Sequence, residues 1–212
     1  MKWIDVWKSR VPTEKSLLEV LLELNGHDHS AGKMDKEKWK EYVNMVKKEL
    51  MMQPEDSVFE VGCGAGAFLY TLNQDAVGGC DYAPNQIRTI KKILHGKFYT
   101  MDAEDILTDE KYDYVISNSV FQYLSIEVAE TVLHKMLKKA NKAVAVLDIP
   151  DKKYEKMTEH LRRQCIKNYD TDYQDLKHTY YSRDAFNLYS PQFIKGSPSI
   201  GGGNRFGVII WV

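Results

Sequence analysis

Residues 57–72 read S-V-F-E-V-G-C-G-A-G-A-F-L-Y-T-L, with glycines at 62, 64 and 66 directly after an apolar run and a single glutamate. Glycine loses more conformational freedom on folding than any other residue. Three of them so close together answer a local demand. S-V-F-E-V (57–61) reads as a short apolar strand and A-F-L-Y-T-L (67–72) as a helix. A strand, a tight glycine turn and a helix bring bare backbone N–H groups against a nucleotide-like cofactor. The alternative is a strand-to-helix turn that only packs closely. The pattern fits G-x-G-x-G and, through Ala67, also G-x-G-x-x-G/A, so the loop alone leaves the cofactor open.

Strands and helices alternate outward from this turn. A-V-G-G-C-D (76–81), K-F-Y-T (97–100), Y-D-Y-V-I-S (112–117) and A-V-A-V-L-D-I (143–149) read as strands. Residues 84–94, with proline in the first turn, and 126–139 read as helices. This alternation predicts a mainly parallel, doubly wound sheet flanked by helices. Residues 1–52 form a helical cap. One helix ends at Asn25-Gly26, and a second starts at the cap Asp35 and carries Trp39, Tyr42, Val43, Val46 and Leu50 at helical spacing. Residues 151–180 are polar, charged and tyrosine-rich, a lid-like insert. Ser182 caps a short helix over 182–189. Residues 192–195 and 205–212 read as a late strand pair joined closely enough to be antiparallel.

The chain has 212 residues and a formal net charge of -1. One domain spanning 1–212 accommodates that length, and nothing in the charge calls for a polyanion or a membrane surface. Short Lys/Arg runs (Lys138-Lys139 and Arg162-Arg163 among them) read as solvated helix faces. Cys63, Cys80 and Cys165 are odd in number and widely spaced, which disfavours a disulfide framework or a zinc site. No signal peptide or apolar span is visible, so a cytoplasmic protein is expected.

Three acidic neighbours narrow the cofactor. Glu60 precedes the first glycine by two residues, where it would repel a pyrophosphate and suit a positively charged ligand. Asp81 ends the second strand, where a carboxylate accepts from both ribose hydroxyls. NAD sites share that feature. M-D-A-E (101–104) follows the third strand, where Asp102 can accept from an adenine amino group.

Together, E-V-G-C-G-A-G, C-D-Y-A-P-N-Q-I, M-D-A-E and Y-D-Y-V-I-S-N-S-V-F-Q-Y-L resemble the successive motifs of class I S-adenosylmethionine-dependent methyltransferases. The resemblance implies a Rossmann-like methyltransferase fold with an antiparallel last strand and S-adenosylmethionine as cofactor, leaving S-adenosylhomocysteine. It implies cofactor contacts at Glu60, Gly62, Cys63 and Gly64, at Asp81, Tyr82 and Gln86, at Asp102 and Ala103, and at Asn118, Ser119 and Val120. By the same plan Phe121, Gln122, Tyr123 and Asp148 approach the methyl acceptor. His178, Tyr180 and Tyr181 are base or lid candidates, and Lys33 and Trp39 border the cofactor. The chain departs from the family at Ala140-Asn141-Lys142, where many members carry a Gly-Gly turn. His27 and His29 read as a solvated loop, and no metal is expected.

These readings predict a monomeric or homodimeric enzyme that methylates a small molecule, with neither nucleic acid nor membrane as partner. S-N-S-V-F lacks the proline pair of the base-modifying members. An NAD-linked oxidoreductase and a non-catalytic cofactor-binding module are the alternatives.

Overall fold

A computed structural model of the chain describes residues 2–10, 16–27, 34–166, 169, 176–198 and 202–212. Lys33 and His29 lie outside them. Among the described residues seven strands form one sheet: β1 (Val58–Val61), β2 (Val77–Asp81), β3 (Gly96–Thr100), β4 (Tyr112–Asn118), β5 (Ala140–Pro150), β6 (Gln192–Lys195) and β7 (Arg205–Trp211). Their order is β3-β2-β1-β4-β5-β7-β6. Strands β1 to β5 pair in parallel, and β7 runs antiparallel to both β5 and β6. The order reverses between β1 and β4. That is the switch point at which open α/β sheets bind ligands beyond the carboxyl ends of their strands.

Helices cover both faces. Helices α2 (Leu17–Leu24), α3 (Lys36–Glu49), α4 (Ala67–Leu72) and α5 (Pro84–Ile90) pack on the face that carries Val58, Ile116, Ala143 and Leu147. Helix α6 (Ile126–Lys139) covers the other face with Phe59, Val115, Val144 and Phe206. Alternate residues of β1 and β5 therefore belong to different cores, the strand period of two made visible. Two further helices were not resolved as elements by the periodicity: α1 (Trp3–Lys8) in the cap and α7 (Glu155–Cys165) in the insert. Their apolar stripes are too short to show.

Several boundaries move. Helix α5 stops at Ile90 rather than Leu94, and Lys91–Ile93 continue as turns. Residues Arg183–Tyr189 are a 3₁₀ helix whose cap Ser182 accepts from Asp184 N–H. At the family's Gly-Gly position, α6 passes directly into β5 through an extended Ala140, so no glycine is required. Lys139 is no solvated lysine. It is buried, and its ammonium donates to the carbonyls of Leu107 and Glu110 at 3.0 and 2.8 Å.

Candidate active site

The glycine turn is built to let other groups approach. A Cβ on Gly62 would come within 2.3 Å of Val120 Cγ2, and one on Gly64 within 2.7 Å of the Asn25 amide. Both residues also have positive φ, 75° and 53°, a region that side chains enter only at a cost. The loop thereby fits between β4's end and the end of α2. Asn25 joins the two segments: its Oδ1 accepts from Ala65 N–H at 2.8 Å.

A cavity of about 390 Å³ opens at this switch point, within the usual range for small-molecule sites. One end is formed by Gly62, Gly64, Asp81, Tyr82, Gln86, Asp102 and Ala103. The Asp81 carboxylate accepts from Gly64 N–H at 3.0 Å and from Ala83 N–H at 2.8 Å, so its position is fixed. Burial, with a smaller push from the Asp102 carboxylate, outweighs those two N–H groups and leaves its pKa raised to about 6. Gln86 donates to the Leu24 carbonyl at 2.9 Å, while its buried Oε1 has no hydrogen-bond partner among the described residues.

Glu60 and Cys63 sit beneath the loop rather than in the cavity wall. Cys63 is fully buried, packed where a Gly79 Cβ would lie, so any contact it makes to a ligand is through its backbone. Glu60 is buried, and its Oε2 has no hydrogen-bond partner among the described residues. Burial, and then the Asp81 carboxylate, push its pKa well up. Burial thus opposes the standing negative charge expected at Glu60, and a cationic ligand would favour it.

The other end is shaped by two strained residues. Ser119 and Asp148 both have positive φ, 58° and 57°. Asp148 lies at the register shift in the β5–β7 pairing between Val146 and Ile149, and such a bulge re-aims a side chain. Its carboxylate accepts from Ser119 Oγ at 2.6 Å, Ser197 N–H at 3.0 Å and Arg205 Nη1 at 3.1 Å. Burial opposes ionisation, but Arg205, Ser119 and Ser197 outweigh it and hold the carboxyl below its ordinary range. Asp148 is therefore a fixed anion with its lone pairs largely committed.

Asn118, Ser119, Val120, Gln122, Tyr123 and His178 also line the cavity. Tyr123 meets Trp7 and His178 edge-on, with centroids 5.9 and 5.4 Å away. His178 is no surface residue. Burial, then Arg162 and Arg205, hold its pKa well below the usual imidazole range, so it is neutral at pH 7.

The remaining candidates do not reach the cavity. Tyr181 Oη donates to the Phe121 carbonyl at 2.8 Å and Tyr180 Oη to Glu159 Oε1 at 2.6 Å. Both rings are buried, so these tyrosines fasten the insert and do not form a lid face. Phe121 packs against Tyr181 in the α6-side core. Trp39 is buried against His27 and Phe68, and its indole donates to Thr71 Oγ1 at 2.9 Å. His27, expected in solvent, is buried and lines the cavity.

The cover comes from the two segments expected to supply it, the N-terminal cap and the 151–180 insert, but its lining residues were not singled out in the sequence. Val6, Trp7 and Arg10 come from α1 and its end, and Thr158, Arg162 and Ile166 from α7 and its end. Asn85 Nδ2 donates to the Trp7 carbonyl at 3.1 Å, and Arg10 donates to the Glu23 carbonyl, which dock α1. Arg162, expected on a solvated face, is buried. The asparagine and glycine at 25–26, read only as a helix stop, also line the site.

Comparisons with known proteins bear on this geometry. Residues 58–142 match the family model described as "Methyltransferase domain". No curated protein matches the chain. Among solved structures, magnesium protoporphyrin IX methyltransferase from Synechocystis with bound S-adenosylhomocysteine superposes with a TM-score of 0.61 at 16% identity, over 85% of this chain and 84% of that one. The N-methyltransferase NodS from Bradyrhizobium japonicum, in complex with the same molecule, gives 0.61 at 16% identity, over 84% and 88%. A small RNA methyltransferase gives 0.60 at 17% identity, over 82% of this chain and 25% of that one. The resemblance read from the sequence therefore holds: the fold is that of class I S-adenosylmethionine-dependent methyltransferases.

Proposed function

With a methyltransferase domain matched over residues 58–142, we propose that the chain transfers a methyl group from S-adenosylmethionine to a small-molecule acceptor. The observation that carries this reading is the first end of the cavity. There the Gly62–Gly64 backbone, a fixed Asp81 carboxylate and the unpartnered Gln86 Oε1 converge in one enclosed space. These groups suit an adenosine. Asp81 would accept from the ribose hydroxyls, Asp102 and Ala103 would hold the adenine edge, and Gln86 Oε1 offers an acceptor beside them. The buried Glu60 carboxyl, which a nearby positive charge would stabilise as an anion, suits the positive methionine portion.

When bound, the cofactor supplies an electrophilic methyl on a sulfonium. The chain's contribution is then alignment and exclusion of water. Val120 and the strained Ser119 fix the wall between the two ends. Trp7 and Tyr123 close the site from above. His178 adds no charge there and can accept a hydrogen bond from the acceptor. Asp148, committed to three donors, shapes the pocket rather than moving a proton.

Enclosure favours a small acceptor. Helices α1 and α7 cover the cavity, and they would have to part for a polymer. The net charge of -1 gives a nucleic acid no electrostatic foothold. Every side chain named comes from one chain, so a monomer suffices, and three widely spaced cysteines fit the cytoplasm.

A thermal-shift panel tests the cofactor assignment. A ligand that binds only the native state adds RT ln(1 + [L]/Kd), about 2.7 kcal/mol at a hundredfold excess over Kd. S-adenosylmethionine and S-adenosylhomocysteine should stabilise, while NAD, NADP and FAD should not. Stabilisation by NAD alone would replace this reading with the oxidoreductase one. Transfer of labelled methyl groups into a metabolite extract separates an enzyme from a non-catalytic module.

A further inference from the structure

We propose that the methyl acceptor bears a carboxylate, held by the Arg162 and Arg205 guanidinium groups at the far end of the cavity. The proposal rests on the methyltransferase reading and specifies its substrate class.

The choice of cation is the first observation. The sequence holds six arginines against a much larger number of lysines. Three arginines (Arg10, Arg162 and Arg205) line the cavity, and among the described residues no lysine does. Arginine presents a planar fork that matches a carboxylate in two parallel hydrogen bonds, which lysine cannot do. A random draw of surface cations would have supplied lysines.

The setting of the two inner guanidiniums is the second. Each is held from behind. Arg162 donates to Glu159 Oε1 at 2.7 Å and to the Leu176 carbonyl at 3.1 Å. Glu159 also accepts from Tyr169 and Tyr180 at 2.9 and 2.6 Å, which immobilises it. Arg205 uses Nη1 alone, towards the Asp148 carbonyl and carboxylate. Among the described residues its Nε and Nη2 make no hydrogen bond, and Arg205 lines the cavity. The forks are thus pre-organised, with donors to spare.

The local field is the third. The backing carboxylates do not cancel the arginines at the cavity surface. At His178 the causes beside burial are Arg162 and Arg205, and no acid offsets them. At Tyr123 all three arginines favour the anion, again with no acid opposing them. Two neighbouring rings therefore sense a positive end, while Asp81 and Asp102 mark the opposite one. Ser197 Oγ, buried in the same wall and without a hydrogen-bond partner among the described residues, offers a further donor. A carboxylate is favoured over a phosphate because the Asp148 anion stands beside the forks. A dianion would meet repulsion there.

The test uses the full chain loaded with S-adenosylhomocysteine, whose binding is followed separately by thermal shift. Ligand-observed saturation-transfer NMR is run with acetate, benzoate and phenylacetate and with their primary amides, and inorganic phosphate is added as a competitor against the carboxylate signals. Carboxylates should give signals and the amides should not. Arg205→Gln and Arg162→Gln should each remove the signal while the cofactor product still binds. Because either change removes a carboxylate's guanidinium partner, Arg205→Lys is included; it keeps the charge and should weaken the signal at least several-fold by removing the fork. Amides that bind as well as acids, silence across the carboxylates, a signal unchanged in Arg205→Lys, or phosphate binding more tightly would each overturn the assignment. Failure of S-adenosylhomocysteine itself to bind strikes the methyltransferase reading, and these arms keep the two outcomes apart.

Discussion

Asp81 meets two opposed demands: the fold buries it, and the proposed ligand needs it charged. In the empty protein burial raises its pKa to about 6. Hydroxyl donors favour the ionised carboxylate, so binding lowers that pKa. The sign follows from linkage. Affinity is full where the free carboxylate is already ionised, above about pH 6. It weakens as the pH falls through that value, because protons then compete with the ligand. Isothermal titration with S-adenosylhomocysteine should show a Kd that is flat near neutrality and rises on acidification. Asp81→Asn should bind more weakly by about 1–3 kcal/mol near neutrality, the usual worth of a hydrogen bond to a charged group, and lose most of the pH dependence. A wild-type Kd that stays level through pH 5 removes Asp81 from the ribose role. Its place at the end of β2 was legible in the sequence. Its raised pKa was not, because burial among Gly64, Ala83 and Asp102 is a tertiary fact.

At the scale of elements, the sheet and the insert were legible to different degrees. Residues 58–150 alternate apolar strands with helices of clear period, and each observed strand falls within a residue or two of its expected place, apart from β5, which starts three residues early. Helices α1 and α7 are short, and α7's side chains are mostly polar. Arg162 points inward from a stretch that reads as solvated. The insert's tyrosines drew the lid expectation, yet hydrogen bonds turn them into fasteners. Lys152 N–H donates to the Tyr181 carbonyl and Tyr181 N–H to the Pro150 carbonyl, both at 2.9 Å. Thr179 N–H meets the Gln122 carbonyl, also at 2.9 Å. Tyr181→Phe keeps the packing on Phe121 and removes one buried hydrogen bond, worth about 0.5–1.5 kcal/mol. Melting should fall by a few degrees, with cofactor affinity and turnover held within about twofold. Lost turnover at unchanged stability would restore Tyr181 to the active site.

Across the whole molecule the cavity divides along the chain. The glycine turn, β2 and the segment after β3 build the cofactor end, while β5's bulge, α7 and the start of β7 build the acceptor end. The cover comes from α1 and α7, far apart in the sequence. Arg10, Arg162 and Arg205 therefore converge from three distant segments, and no local spacing could announce them. The glycine turn, by contrast, is continuous in sequence and was legible at once. This division predicts a divided response. Hydrogen exchange reports local opening, which a ligand suppresses where it bridges groups. S-adenosylhomocysteine should slow exchange at 60–66, 81–87 and 101–105, and at 3–10 because Trp7 and its neighbours close over that end. Residues 155–166 and 196–206 should respond little to it and gain protection only when a carboxylate joins the complex. Strands β1, β4 and β5 are buried in the sheet centre and should exchange slowly throughout. If the cofactor product alone protects 155–166 as strongly as the glycine turn, the two ends are a single binding unit, and the assignment of separate cofactor and acceptor halves fails.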